Sequence, residues 1–125
     1  MSFKVTIEKK DTGVYMVKLL GPLDTETHPV FEGEIKNILV DSTKAVILNM
    51  EGVNYISSMG IGSFFKLSNA MKKLKGSLLL INLQPQIKKV LDTVKALPEA
   101  IFTSVEEADN YLNEIQKKFL DQDPI

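Results

Sequence analysis

The chain has 125 residues, room for one compact domain, and its 44% hydrophobic and 25% charged residues are the balance of a soluble globular protein. No cysteine is present, which excludes disulfides and thiolate metal sites. The formal net charge is −1 and all fifteen basic residues are lysines, so there is neither a basic field for nucleic acid nor a guanidinium fork for phosphate.

Phe3, Val5 and Ile7 alternate with polar residues, the pattern of a half-buried strand rather than of a signal peptide. Asp11-Thr12-Gly13 reads as a turn, Val14 to Leu20 as the returning strand of a hairpin, and Gly21-Pro22 as its end. Phe31, Ile35, Ile38 and Leu39 recur at helical spacing behind Pro29, a residue suited to a first turn. Ala45 to Met50 is an apolar run of strand length, as expected where both faces of a sheet are covered. A loop from Gly52 to Ser57 follows.

From Met59 to Leu74 the pattern turns helical, with Ile61, Phe64, Leu67, Met71 and Leu74 on one stripe and Gly62, Lys66, Asn69 and Lys73 opposite. Phe64 and Phe65 both read mostly as core, with Phe65 nearer the stripe's edge and so also a candidate partner contact. Gly76 ends this helix, Ser77 to Leu83 is a second buried strand, and Pro85 opens a helix carrying Ile87, Val90, Leu91 and Val94. Ser104 and Glu107 form a capping box for a last helix. The expected fold is α/β, in the order β-β-α-β-α-β-α-α: a mixed sheet of about four to five strands, parallel in its centre, with an antiparallel hairpin at one side. Residues 1–120 form the single domain and 121–125 a flexible tail. No apolar run approaches the roughly 18 residues that cross a bilayer, so direct membrane insertion is not expected and a cytoplasmic location is.

The segment Tyr55-Ile56-Ser57-Ser58-Met59-Gly60-Ile61-Gly62 joins a buried strand to an amphipathic helix, at the end of an α/β sheet where sites usually sit. A helix N-cap explains one serine. The second is one more than a cap requires, and a phosphate on it would meet free backbone N–H groups and the positive end of the helix dipole.

This stretch resembles the signature of STAS-domain anti-sigma factor antagonists: an aromatic, an aliphatic, Asp or Ser, the phospho-accepting Ser, a small residue, Gly and an aliphatic. Gly21-Pro22-Leu23-Asp24-Thr25 is similar to the family's G-x-L-D segment, and Ile101 to Ala108 to its run into the last helix. The resemblance implies the fold of that family and Ser58 as phosphoacceptor, with Asp24 close by. It further implies Ser57, Met59, Gly60 and Gly62 as the surroundings that a partner touches. Ser57 stands where the family often has Asp, which leaves a second candidate hydroxyl, and Met59 replaces a small residue. Asp24 reads equally as a turn or cap carboxylate.

The implied function is partner switching. The unphosphorylated form binds an anti-sigma factor that is also a serine kinase, which frees a sigma factor; phosphorylation at Ser58 breaks the complex, and a serine phosphatase resets it. The same fold serves as a subunit of stress-signalling scaffolds or of membrane transport complexes, and these remain alternatives. No enzyme signature is present. Ile56 stands where a nucleophile elbow needs glycine, the lone His28 reads as a surface residue beside a helix start, and Gly60-x-Gly62 lacks the rest of a phosphate loop. Neither a cofactor nor a metal is expected.

Overall fold

The computed structural model describes residues 2–94 and 100–102; the last helix expected from Ser104 and the tail at 121–125 lie outside them. The elements are β1 (Lys4–Asp11), β2 (Val14–Leu20), α1 (His28–Lys36), β3 (Ala45–Gly52), α2 (Ser58–Lys73), β4 (Ser77–Ile81), α3 (Pro85–Val94) and β5 (Ala100–Phe102). They build the expected α/β fold around one sheet of order β1-β2-β3-β4-β5. The β1–β2 hairpin is antiparallel and every other pair is parallel.

Each parallel crossover carries one helix. Right-handed crossovers along a sheet whose strands follow chain order put all three helices on the same face. The core agrees: Phe31 and Ile35 of α1, Phe64, Leu67 and Met71 of α2, and Ile87 and Leu91 of α3 share one buried cluster. The unbroken apolar runs of β3 and β4 follow from burial on both faces. Val46, Leu48, Met50, Leu78 and Leu80 point to the helices, whereas Ile47, Leu79 and Ile81 join Met16 in a second cluster on the opposite face.

Helix α2 is the central helix, and its seat is anchored by an edge-to-face pair, Phe31 and Phe64, with ring centroids 5.8 Å apart at 80°. Its buried face differs from the purely apolar stripe expected. Gly60, Ser63 and Ser68 share it with Phe64, Leu67 and Met71, while Ile61 and Leu74 are only half-buried. Phe65 turns outward and is 43% exposed. The expected order placed no strand between α3 and the last helix, yet β5 pairs with β4 there through Ala100, Ile101 and Phe102.

Candidate functional site at the amino end of helix α2

Beyond Gly52 the chain crosses the end of the sheet and is fastened to the segment that leaves β2. Leu23 and Ile56, both buried, form an isolated parallel bridge. Leu23 N–H donates to the Tyr55 carbonyl at 3.0 Å, Ser57 N–H to the Leu23 carbonyl at 2.9 Å, and Gly21 N–H to the Gly52 carbonyl at 2.9 Å. The first turn of α2 presses on this bridge at Gly60. A Cβ there would lie 2.6 Å from the Leu23 carbonyl oxygen and 2.9 Å from Ile56 Cγ1, closer than side-chain atoms approach, so only glycine fits. Gly60 is thus part of the foundation of the site and is buried.

The two serines divide their roles on this base. Ser57 is the N-cap, with extended backbone (φ −96°, ψ 174°), and its Oγ accepts from Gly60 N–H at a long 3.4 Å. Ser58 is the first helical residue, exposed, with exposed Tyr55 and Met59 beside it. The N–H groups of Ser58 and Met59 have no protein acceptor among the described residues. No acidic residue stands in the first turn, so the positive end of the helix dipole is uncompensated there.

Gly62 has the opposite environment to Gly60: among the described residues nothing lies within 4 Å of where its Cβ would be. A glycine inside a helix costs about 0.5–1 kcal/mol relative to alanine, and no contact among the described residues requires it. Together with Ser58, Phe65 and Asn69 it falls at helical spacing on one outward face of α2.

Asp24 follows directly on Leu23. Its Oδ1 accepts from the N–H of Glu26 at 2.9 Å, the N–H of Thr27 at 3.0 Å and the Thr27 hydroxyl at 3.1 Å, while Asp24 N–H donates back to Thr27 Oγ1 at 2.9 Å. These bonds build the turn that opens α1. Among the described residues no hydrogen bond joins Asp24 to Ser57 or Ser58, so the turn role is the one its contacts support. The shared link is the backbone of Leu23.

One constellation was not legible beforehand. Glu32 of α1 accepts from Ser63 Oγ at 2.5 Å, pairs with His28 Nδ1 at 2.8 Å through the same Oε2, and takes Lys66 Nζ at 3.1 Å on Oε1. His28 is therefore a partly buried member of a clamp between α1 and α2 and not a free surface residue; its side chain is 16% exposed. The hydroxyl donates to the carboxylate and not to the imidazole, so this is no nucleophilic triad. Ser63, foremost, then His28 and Lys66 hold the Glu32 carboxyl down to about 2 against the opposing effect of burial. A signal existed in the serine at a core-facing turn of α2, but its partner lies 31 residues away. Among the described residues no group of three His, Asp or Glu is placed to hold a metal, and no helix is long and apolar enough to cross a membrane.

With the geometry in place, comparison with known proteins identifies the family. The STAS domain profile matches residues 6–108, most of the chain. The chain belongs to the STAS domain family. An anti-sigma-B factor antagonist of Staphylococcus aureus is 28% identical over 78 residues, which cover 62% of this chain and 72% of that protein. The solved anti-sigma factor antagonist SpoIIAA, in its unphosphorylated form, superposes with a TM-score of 0.77 at 20% identity, covering 89% of this chain and 97% of that one. The murine anion transporter Slc26a9 contains the same fold: TM-score 0.73 at 22% identity, over 85% of this chain but 18% of the transporter. The STAS fold is thus common to antagonist-sized proteins and to a domain of a much larger transporter.

Two outcomes are expected from the site's construction. Ser57→Ala removes the cap and costs about 0.5–1 kcal/mol, the lower part of the usual range because the bond is long, whereas Ser58→Ala changes stability by less than about 0.5 kcal/mol; urea unfolding reads both. The Glu32 clamp gives a pH signature. Its carboxyl titrates lower in the folded state than the ordinary 4.5, so its stabilisation is complete above about 4.5 and drains away as pH falls towards about 2. Thermal melts across that window are expected to drop more steeply for the wild type than for Glu32→Gln, which has no such proton to take up. Parallel curves would refute the clamp.

Proposed function

We propose that this STAS domain is an anti-sigma factor antagonist, a non-catalytic cytoplasmic module whose unphosphorylated form binds an anti-sigma factor with serine kinase activity. Phosphorylation of Ser58 ends that binding and a serine phosphatase restores it. The observation that carries the reading is the division of labour at the start of α2: the fold uses Ser57 as its cap and leaves the Ser58 hydroxyl outward on a rigid base. The relationship to an anti-sigma-B factor antagonist supports the class of partner.

The physics of the switch follows from that position. A phosphoserine carries roughly −1.5 to −2 charges and three acceptor oxygens. Next to unpaired N–H groups and an uncompensated helix dipole it gains about 0.3–1 kcal/mol, so the domain itself tolerates it. A partner packed over Tyr55, Met59 and the open flank at Gly62 meets new bulk and new charge. Every 1.4 kcal/mol of lost complementarity lowers affinity about tenfold, and two or three such increments lower it about a hundred- to a thousandfold. Asp24 serves this site by holding the turn behind Leu23. Ser57 is the second hydroxyl in reach of a kinase, but modifying it removes a helix cap.

The likeness to a transporter's domain favours a second reading, a binding module for a membrane transport protein. One experiment separates the two. Wild type, Ser58→Ala and Ser58→Asp are used as bait, with captured proteins and phosphoserines identified by mass spectrometry. Capture of a serine-kinase anti-sigma factor by the first two and not the third is the expected result, with phosphate on Ser58. Equal capture of transport proteins by all three, with no phosphate at Ser57 or Ser58, overturns it.

A further inference from the structure

The sheet face that looks away from α1, α2 and α3 carries a feature unrelated to the Ser58 site. Between the pairs Lys18–Asn49 and Leu20–Gly52, β2 advances two residues while β3 advances three, so β3 holds one extra residue. Such a bulge bends its strand and re-aims side chains. This one is tied in place by side chains: Glu51 N–H donates to Asn49 Oδ1 at 3.1 Å, and the Glu51 carbonyl accepts from Gln84 Nε2 at 2.8 Å.

Beside the bulge the sheet surface is hollow. A groove of about 460 Å³, open to solvent, is lined by Lys4, Thr6, Lys18, Leu19, Leu20, Glu51 and Gly52. That size lies within the range of small-molecule sites, about 300–1,000 Å³. Lys4 is the direct cross-strand partner of Leu20, and Thr6 that of Lys18, so these four side chains stand on one face of the hairpin. Neither lysine has an ion-pair partner among the described residues. Leu20 is 57% exposed between them, the most exposed large apolar side chain among the described residues.

Solvated lysines on an edge hairpin are ordinary and protect against strand pairing. They do not account for a concavity, for an exposed leucine lining it, or for two unneutralised lysines lining it from neighbouring strands. We propose that this hollow binds a small organic anion with a short hydrocarbon body, a carboxylate or a phosphate monoester. Lys4 and Lys18 take the anionic group, Thr6 Oγ adds a hydrogen bond, and Leu20 receives the hydrocarbon. Glu51, on β3 beside them, sets the orientation by repelling the anionic end. The site is independent of the Ser58 reading.

The test is a titration of the full chain followed by backbone amide shifts, with hexyl phosphate and hexanoate as probes and inorganic phosphate and hexanol as separate arms. The expected result is saturable shifts at Lys4, Thr6, Lys18, Leu20, Glu51 and Gly52 with either amphiphile, and much weaker response to the two half-ligands. Lys4→Gln with Lys18→Gln weakens binding at least about tenfold, Glu51→Gln tightens it severalfold, and Lys9→Gln leaves it unchanged. These exposed positions are replaceable without unfolding the domain, which the amide spectrum itself verifies. Shifts that do not saturate, that spread over all lysines, or that persist in the double variant overturn the proposal. Equal binding of hexanol would overturn the anion requirement, and equal binding of inorganic phosphate the hydrocarbon requirement.

Discussion

The backbone bridge between Leu23 and Ile56 decides where α2 begins. It fixes the segment after β3 at the point from which Ser57 caps the helix. With it, Ser57 N–H is spent on the Leu23 carbonyl, its Oγ turns towards Gly60, and the next residue starts the helix pointing outward. The glycine at position 60 is the other half of the constraint, since any larger residue would push the first turn off the bridge. Order at the site is therefore a backbone property, built without use of the Ser58 hydroxyl. A surface that is to be recognised in one chemical state and rejected in another needs that separation between fold and label.

The Glu32 clamp extends the same base one turn further along. It joins α1, whose opening turn is built by Asp24 and Thr27, to the second turn of α2 through Ser63 and Lys66. Leu23, Asp24, His28 and Glu32 thus follow one another along a short stretch that braces α2 from its cap to Lys66. The charges are arranged so that the bracing carboxylate is consumed internally. Lys72 and Lys73 remain exposed at the other end of a helix that contains no acidic residue. The outward face is left to Ser58, Gly62, Phe65 and Asn69, none of which is buried.

Much of this was legible in the residues. The apolar runs of β3 and β4 are long enough and unbroken enough to be strands covered twice, and the periodicity of α2 marks its span to within a residue at each end. The serine pair stood out because a cap needs only one hydroxyl. What escaped has physical reasons. β5 is three residues long, too short for any periodicity, and owes its existence to the exposed edge of β4. The clamp joins residues 31 apart, and a serine on a buried stripe does not name its acceptor. His28 looked solvent-bound because a lone histidine beside a proline carries no pattern, yet i,i+4 spacing to Glu32 on a helix was enough to pair it. Gly60 and Gly62 looked alike in sequence; only the three-dimensional surroundings separate the one that is required from the one that is not.

The measurement that bears most directly on the separation of label from fold is a comparison of the protein carrying phosphoserine at position 58, produced by genetic incorporation, with the unmodified chain. Thermal stability and amide shifts would be read alongside affinity for the partner recovered with wild-type bait. Melting temperatures equal or slightly higher in the phosphorylated form are expected, with shift changes confined to Ser58 through Ile61 and affinity lower by at least about a hundredfold, some 2.7 kcal/mol. A phosphorylated form that melts early, with shifts spreading across α2 and the Leu23–Ile56 bridge, would contradict it, because the modification would then act by unfolding the site rather than by marking it.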